Sequence, residues 1–185
     1  SVNDSNENFS NSYLNADTNS DLKVNLMVFM KLSGKLVGSV AFDLENQTEL
    51  PVPGYFSGLS QSDVLLQHQG VGSTSKGIIL LPEGPMLISS WPVSNNGKLP
   101  VGGTLIMGRY LDESEIRHIS EITHLNLTIH RTDDERMPSD FNAALSFLSK
   151  DNPVFIQKLS DKSIGGYTLL NDIYGKPAII LRVET

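Results

Sequence analysis

The sequence contains no cysteine, which excludes disulfides and metal sites built on thiolates. It also lacks any run of about 18 apolar residues, the length that an α-helix needs to cross a membrane. Its 14 lysines and arginines form no cluster and are outnumbered by 21 aspartates and glutamates, which gives a formal net charge of -7. Because phosphate binding needs clustered cations, this charge pattern argues against a nucleic-acid partner.

The residues that are present are typical of a folded domain. Hydrophobic residues make up 39% of the 185 residues and charged residues 19%, which is enough apolar material for a core. Residues 1–20 are polar and rich in Asn and Ser, and we expect a helical or frayed segment there. Residues 21–185 suit a single domain. The chain starts without methionine and ends within a strand-like segment, so we expect it to be a piece of a longer protein.

Much of the remaining chain has the apolar periodicity of β-strands. Strands are predicted at residues 22–32, 36–42, 77–81, 86–93, 101–110, 125–131, 154–159, 166–172 and 177–183. The first two are separated by a three-residue turn and form a predicted hairpin. The long connection 43–77 has weak periodicity, with a short helix expected near 61–68. Many antiparallel strands with a few inserted helices indicate the α+β class.

Two helices are predicted in the second half of the chain. Asp112 is a candidate N-cap, and Glu115, three residues later, completes a capping box. Leu111 and Ile116 flank this box and are placed to contact each other. The predicted buried stripe of the same helix consists of Ile116, Ile119 and Ile122. Glu113 and Arg117 are four residues apart and are predicted to form an ion pair. The second helix is predicted within residues 137–150.

No catalytic motif is complete. The segment 70–77, GVGSTSKG, resembles a phosphate-binding loop, but serine stands where the final glycine belongs and glycine replaces the hydroxyl residue. The acidic cluster at 132–136 is typical of a solvated turn, with a cation site as the alternative. The four histidines lack the spacing of a metal or nucleophile motif; they are His68, His118, His124 and His130. We therefore predict no catalytic residue, no metal site and no cofactor.

A candidate ligand site lies on the fourth and fifth predicted strands. If these strands pair, a serine and the tryptophan of one lie beside a methionine and an arginine of the other, forming an apolar hollow with a cation at one end. Arginine holds a carboxylate through two parallel hydrogen bonds, and tryptophan stacks on flat or cationic groups. The predicted ligand-binding residues are Ser89, Trp91, Met107, Arg109 and Tyr110. The alternative is that Arg109 pairs with Asp112 or Glu113 and positions the helix.

Several stretches carry a resemblance to a known family. They are LLPEGPMLISSWPV followed by GGTLIMGRYLDESEI, the strand LNLTI at 125–129, and the closing segment DIYGKPAIILRVE at 172–184. They look like the CHASE4 family of extracytoplasmic sensor domains, in the same order, and NLMVFMKLSGKLVGSVAFDLE in the N-terminal half is also similar. The chain therefore resembles a CHASE4 domain over most of its length.

This resemblance implies a PAS-like or Cache-like α+β sensor, with an antiparallel sheet, flanking helices and an N-terminal helix. It implies a place on the extracellular or periplasmic side of the membrane, between two membrane helices of an archaeal or bacterial receptor. The receptor's output would be a histidine kinase or a diguanylate cyclase, while the sensor itself would not be an enzyme.

The function expected from this resemblance is to bind an unknown small molecule and to pass the signal across the membrane. A homodimer through the N-terminal segment is compatible with it. Two alternatives remain open at the level of the sequence. One is a dimerisation module that binds no ligand. The other is a small hydrolase or lyase built on His68, His130 or the acidic cluster.

Overall fold

The structure is a computed structural model that describes residues 16–94 and 100–185. The chain divides into two compact units, each of which is described by itself. Of the described residues, the first unit contains 16–77, 86–94 and 100–110, and the second contains 78–85 and 111–185. The predicted helical or frayed segment lies mostly outside the described residues. None of the described helices is both long enough and apolar enough to cross a membrane.

The described elements alternate between strands and a few short helices. The helices are α1 (Ala16–Leu22), a 3-10 helix (Gly54–Gly58), α2 (Glu113–Thr123) and α3 (Ser139–Phe147). The strands are β1 (Leu26–Met30), β2 (Leu36–Asp43), β3 (Thr48–Leu50), β4 (Ser75–Leu81), β5 (Gly84–Ser94), β6 (Val101–Tyr110), β7 (Asn126–Arg131), β8 (Val154–Lys158), β9 (Ile164–Asn171) and β10 (Pro177–Glu184). One sheet has the order β3-β2-β1-β6-β5-β4 and the other β7-β10-β9-β8, which confirms the predicted α+β class.

Strand β1, in the first unit, does not have the one-sided burial that its sequence suggested. All five of its residues are buried, because it lies between β2 and β6 and both of its faces are covered. The prediction that this strand starts at Leu22 is wrong. That residue ends α1 and is 54% exposed. Lys23 has a positive φ of 53°, and the chain turns there from the helix towards the strand.

The hairpin of β1 and β2 forms as predicted. Gly34, with a φ of 84°, lies in its turn and donates its N–H to the carbonyl of Lys31 at 2.9 Å. The helix expected at 61–68 is wrong, since this stretch contains turns and a bend but no helix. The carboxylate of Asp63 accepts a hydrogen bond from the N–H of Leu65 at 2.9 Å, a local bond that competes with helical pairing.

Helix α2, in the second unit, begins as predicted. The carboxylate of Asp112 accepts a hydrogen bond from the N–H of Glu115 at 2.8 Å. Ile116 and Ile119 pack against an apolar cluster that contains Ile78, Leu111, Ala178 and Ile179. The prediction that Ile122 is buried is wrong, because it is 64% exposed. The helix ends one residue later, and His124, with a φ of 56°, is its C-terminal cap.

A second cluster of the same unit packs α3 against the sheet. It contains Met137, Phe141, Ala144, Leu148, Tyr167 and Ile180. The hydroxyl of Tyr167 donates to the carboxylate of Asp140 at 2.6 Å, and the guanidinium of Arg182 donates to the same oxygen at 2.9 Å. Burial and the bond to Asp140 raise the pKa of Tyr167 to about 12, so this hydroxyl remains a donor at neutral pH.

Candidate functional site

The paired strands β5 and β6 of the first unit present two different faces. One, which we call the inner face, carries Met86, Ile88 and Ser90 from β5 and Thr104, Ile106 and Gly108 from β6. All six of these residues are buried. The other, the outer face, carries Leu87, Ser89 and Trp91 from β5 and Leu105, Met107 and Arg109 from β6, and these are half-buried or exposed.

The inner face is approached by the long connection between β3 and β4. Phe56 and Leu65 of this connection have no exposed surface, and Leu66 is 2% exposed. His68 follows them, and its Nε2 lies 2.9 Å from the hydroxyl of Thr104 on the inner face. This hydrogen bond holds the connection to the sheet across 36 residues of sequence.

Two polar atoms at this place are buried without a hydrogen-bond partner among the described residues. They are the hydroxyl oxygen of Ser90 and the Nδ1 atom of His68. Ser90 pairs with Ile106, which stands two residues from Thr104, so the two hydroxyl residues are diagonal neighbours roughly 7–8 Å apart. Leaving such a group unpaired costs on the order of 1–3 kcal/mol, and an unpaired buried group calls for a structural or functional explanation.

Burial also sets the charge of His68. It lowers the pKa of His68 below its ordinary value of 6.5, because removal from water disfavours the imidazolium form. The backbone of Ser73 acts in the opposite direction, through a contact too loose to form a hydrogen bond with Nδ1. The ring is therefore neutral at pH 7. A neutral imidazole has one donor nitrogen and one acceptor nitrogen, and the hydroxyl of Thr104 can complement either role at Nε2.

The site residues predicted from the sequence mostly occupy the outer face. Ser89 stands opposite Met107, and Arg109 stands opposite Leu87. The indole N–H of Trp91 donates to the hydroxyl of Ser89 at 2.9 Å, and Trp91 is 48% exposed. The strand pairing thus brings these side chains to one surface of the sheet. Tyr110, the fifth predicted residue, lies at the end of β6 on the inner side of the alternation, opposite Met86.

The guanidinium of Arg109 contributes to the fold. Its Nη1 donates to the backbone carbonyl of Lys23 at 2.7 Å, which ties β6 to the end of α1. Neither interpretation made from the sequence included this partner. It could not be found by spacing, because the two residues are 86 positions apart.

A groove is present in the second unit, along α2 and β7. It has a volume of about 750 Å³, and its walls include Leu111, Ile116, Leu127 and Ile129. The acidic segment 132–136 meets it at Asp134. No group of acidic or histidine side chains suited to a metal ion occurs among the residues that the structure describes. The arginine of β7, Arg131, forms an ion pair with Asp133 at 2.8 Å.

Of the functional candidates that sequence reasoning missed, Ser90 carried a usable signal. It is the polar member of an otherwise apolar alternation with Met86 and Ile88, so a hydroxyl on a buried face was foreseeable. His68 carried none. It lies in an irregular polar stretch, and only the folded chain shows that this stretch covers the sheet.

Comparison with known proteins gives one family match and one curated relative. Residues 1–130 match the model of the CHASE4 domain. The chain is 30% identical over 172 residues to the methanogenesis regulatory histidine kinase FilI of Methanothrix harundinacea (strain 6Ac), covering 92% of this chain. The chain spans 19% of the length of that protein.

Solved structures share the fold at low sequence identity. One is the extracellular domain assigned to the histidine kinase vpHK1S-Z8, with a TM-score of 0.53, 14% identity, and coverage of 97% of this chain and 74% of that one. Another is a domain assigned to the sensory box/GGDEF family from Vibrio parahaemolyticus, with a TM-score of 0.54, 12% identity, and coverage of 97% and 77%. They confirm the predicted sensor-domain fold. With its family model matched over more than two thirds of its length, the chain belongs to the CHASE4 domain family.

Proposed function

We propose that this chain is the extracytoplasmic sensory domain of a membrane receptor, and that it binds a small molecule against the inner face of the first sheet. The observation that carries this proposal is the pair of buried, unpartnered polar atoms, the hydroxyl of Ser90 and Nδ1 of His68. A ligand that bonds to both would remove the cost of leaving them unpaired. The apolar residues around them would supply most of the contact surface, as in ligand sites generally.

The chemistry of the inner face limits the class of ligand. Apart from neutral His68, the inner-face residues named above offer hydroxyl and apolar groups, and none of them is charged. Burying a charged ligand group against such a surface would cost roughly several kcal/mol, because the charge would lose its hydration without gaining an opposite charge. The proposed ligand is therefore a small molecule with at least two uncharged hydrogen-bonding atoms beside an apolar body.

The receptor itself is the second part of the proposal. The curated relative is a histidine kinase, and this chain corresponds to a fifth or less of it. We infer a parent protein in which the domain lies outside the membrane and controls a histidine kinase, with a diguanylate cyclase as the alternative output. Ligand binding controls such an output only if the two states of the domain have different affinities for the ligand. A homodimer through residues 1–20 remains a prediction.

Thermal unfolding of the whole chain against a panel of small amides, alcohols, carboxylates, amino acids and amines tests the proposal. A compound that binds only the folded state, at 100 times its dissociation constant, adds about 2.7 kcal/mol to the free energy of unfolding. We expect uncharged compounds to give such a shift. If no compound in the panel raises the unfolding temperature, the small-molecule proposal fails and the dimerisation module is favoured.

The outer face is a second candidate location for the same function. Its support is the exposed Trp91 beside Ser89 and the cation of Arg109, which suit a flat or anionic ligand. The test is Arg109→Ala in the same panel. A shift produced by carboxylates in the wild type and lost in Arg109→Ala would place the ligand on the outer face. Unchanged shifts, together with a lower unfolding temperature, would leave Arg109 as the anchor of α1.

A further inference from the structure

Strand β7 is an edge strand of the second unit. It pairs with β10 on one side, and no strand among the described residues pairs with its other side. In an antiparallel pair, alternate residues direct both their N–H and C=O groups towards the partner or away from it. Three hydrogen bonds establish which residues of β7 point away.

The even-numbered positions point towards β10. The N–H of Thr132, just after β7, donates to the carbonyl of Ala178 at 2.9 Å. The odd-numbered positions point outward. The N–H of Leu127 donates to the hydroxyl of Ser120 on α2 at 3.3 Å, and the carbonyl of Arg131 accepts from the N–H of Asp134 at 3.3 Å. Ile129, between them, therefore directs its N–H and C=O to the open edge.

The open edge faces the groove along α2. Residues from both faces of β7 line this groove, as expected for a groove that runs along the edge of the strand, and the bond from the N–H of Leu127 to Ser120 places α2 beside that edge. The carbonyl of Leu127, both groups of Ile129 and the N–H of Arg131 have no hydrogen-bond partner among residues 16–94 and 100–185. These four groups alternate as acceptor, donor, acceptor and donor along about 10 Å of extended strand, by the rise of about 3.3 Å per residue.

We propose that this groove binds a short extended peptide, which adds to β7 as a further strand. Main-chain groups of the peptide would pair with the four free groups, and its alternate side chains would contact Leu111 and Ile116. A volume of about 750 Å³ is within the range of ligand sites, and it suits a segment of a few residues.

The charges around the groove favour a peptide with a cation at one end. Its lining includes three carboxylates, Asp112, Glu113 and Asp134, and two guanidiniums, those of Arg117 and Arg131, which leaves a net charge of 2 - 3 = -1 with histidine neutral. Arg131 is already paired with Asp133, which shifts the balance further towards negative charge. Glu113 and Arg117 form no ion pair with each other in the described chain, contrary to the pairing expected from their spacing.

The positions of these carboxylates predict that the cationic end of the peptide lies near the Arg131 end of β7. The chain reverses at His124 and Leu125, so α2 and β7 run in opposite directions. Ser120 therefore lies near the start of β7, and Glu113 lies towards its Arg131 end, where Asp134 also lines the groove.

A second copy of this chain fits the groove less well than a short peptide does, because the β7 edge of that copy would be flanked by its own α2.

The test uses the whole 185-residue chain and two capped tetrapeptides, acetyl-Lys-Val-Thr-Val-amide and acetyl-Val-Thr-Val-Lys-amide, which cover both strand directions. Amide NMR spectra and hydrogen exchange are recorded with and without each peptide. We expect one peptide to shift and protect the amides of Ile129 and Arg131. N-methylation of alternate peptide residues provides the control, because only one of the two methylation patterns removes the N–H groups that face β7. That pattern should weaken binding roughly tenfold or more, and the other should not.

A matched pair of variants tests the charge argument. Glu113→Gln should weaken the binding of whichever of the two peptides binds the wild type, by several-fold. Glu121→Gln, on the same helix but outside the groove, should leave that binding unchanged. The proposal is overturned if neither peptide affects the amides at millimolar concentration, or if both methylation patterns bind equally. It is also overturned if sedimentation shows a dimer whose Ile129 amide is already protected, since a second copy would then occupy the edge.

Discussion

At the scale of single residues, the shielded polar groups of this chain differ in how many hydrogen bonds they form. Asp140 accepts two short hydrogen bonds, whereas Ser90 and Nδ1 of His68 are buried without any. The first arrangement stabilises the fold. The second costs stability unless a ligand completes it, which is why the proposed function rests on it.

His68 should make stability depend on pH. Its pKa is lowered by burial, so between that value and 6.5 the unfolded chain binds more protons than the folded chain. The contribution of neutral His68 is therefore complete above pH 6.5 and is lost as the pH falls through the folded pKa. We expect the unfolding temperature of the wild type to fall more steeply than that of His68→Gln as the pH is lowered from about 7.5 to about 5, a range that spans the ordinary pKa of histidine. His118→Gln, an exposed site on α2, is the control and should follow the wild type.

Asp140 should also lose its contribution to stability as the pH falls, but at lower pH and for a different reason. Burial alone would raise its pKa, but the hydrogen bonds from Tyr167 and Arg182 outweigh burial and lower the pKa below 3.8. This contribution is present above pH 3.8 and is lost as the pH falls. Asp140→Asn should cost about 1–2 kcal/mol at pH 7, since both partners are largely shielded from water, and less near pH 3. Chemical denaturation at both pH values measures it.

The control for Asp140 is another aspartate in an ion pair. Asp161 contacts Lys158 at 2.7 Å, but its side chain is 96% exposed. Water screens such a pair, so Asp161→Asn should leave the free energy of unfolding unchanged within error. Equal losses for the two variants would contradict the role given to burial here.

At the scale of elements, neighbouring glycines of β6 provide a test of sheet packing. A Cβ atom at Gly103 would lie 2.6 Å from the backbone carbonyl of Met30 and 2.9 Å from the ring of Phe29, whereas at Gly102 the nearest such atom is 3.7 Å away. Gly103→Ala should therefore destabilise the domain by about 1–3 kcal/mol through overpacking.

Gly102→Ala, by contrast, should be neutral or slightly stabilising, because the added methyl group has room and restricts the unfolded chain. The two variants are compared by denaturant midpoints. A similar loss in both would mean that glycine is needed along β6 for twist or flexibility rather than for close approach to β1.

The N-terminus of α2 provides a second test at this scale. Asp112→Ala removes the acceptor for the N–H of Glu115 and should cost about 1 kcal/mol, while Asp112→Asn, which keeps a cap oxygen, should cost much less. Urea unfolding of both variants measures the difference. An equal loss would assign the effect to the charge of Asp112 and not to its hydrogen bond.

At the scale of the whole molecule, the sequence predicted the local structure better than the long-range contacts. The range of β6 and the Asp112 cap of α2 were predicted correctly, because alternation and capping depend on residues that are close in sequence. The start of β1 was placed too early, since the alternation of residues 22–32 continues across the end of a helix. Family membership and fold class followed from motifs spread along the chain and are confirmed.

The candidate site depended on contacts that no local pattern encodes. The bond between His68 and Thr104 and the bond between Arg109 and Lys23 each join distant parts of the first unit. The open edge of β7 likewise depends on sheet order, which places the first strand of the second sheet at its margin. Only the alternation around Ser90 pointed to the inner face in advance.

The most direct test of the central claim compares two adjacent serines. Ser90 lies on the inner face with no hydrogen-bond partner, and Ser89 lies on the outer face beside Trp91. Unfolding temperatures of the wild type, Ser90→Ala and Ser89→Ala are measured against the same panel of small molecules. Without ligand, Ser90→Ala should be at least as stable as the wild type, because it loses no bond and removes the cost of the unpaired hydroxyl.

With ligand, we predict that the compound that stabilises the wild type also stabilises Ser89→Ala and has at least a tenfold lower affinity for Ser90→Ala, the loss expected for a hydrogen bond of about 1.4 kcal/mol. An undiminished shift in Ser90→Ala, with the shift lost in Ser89→Ala, would contradict the account and place the ligand on the outer face.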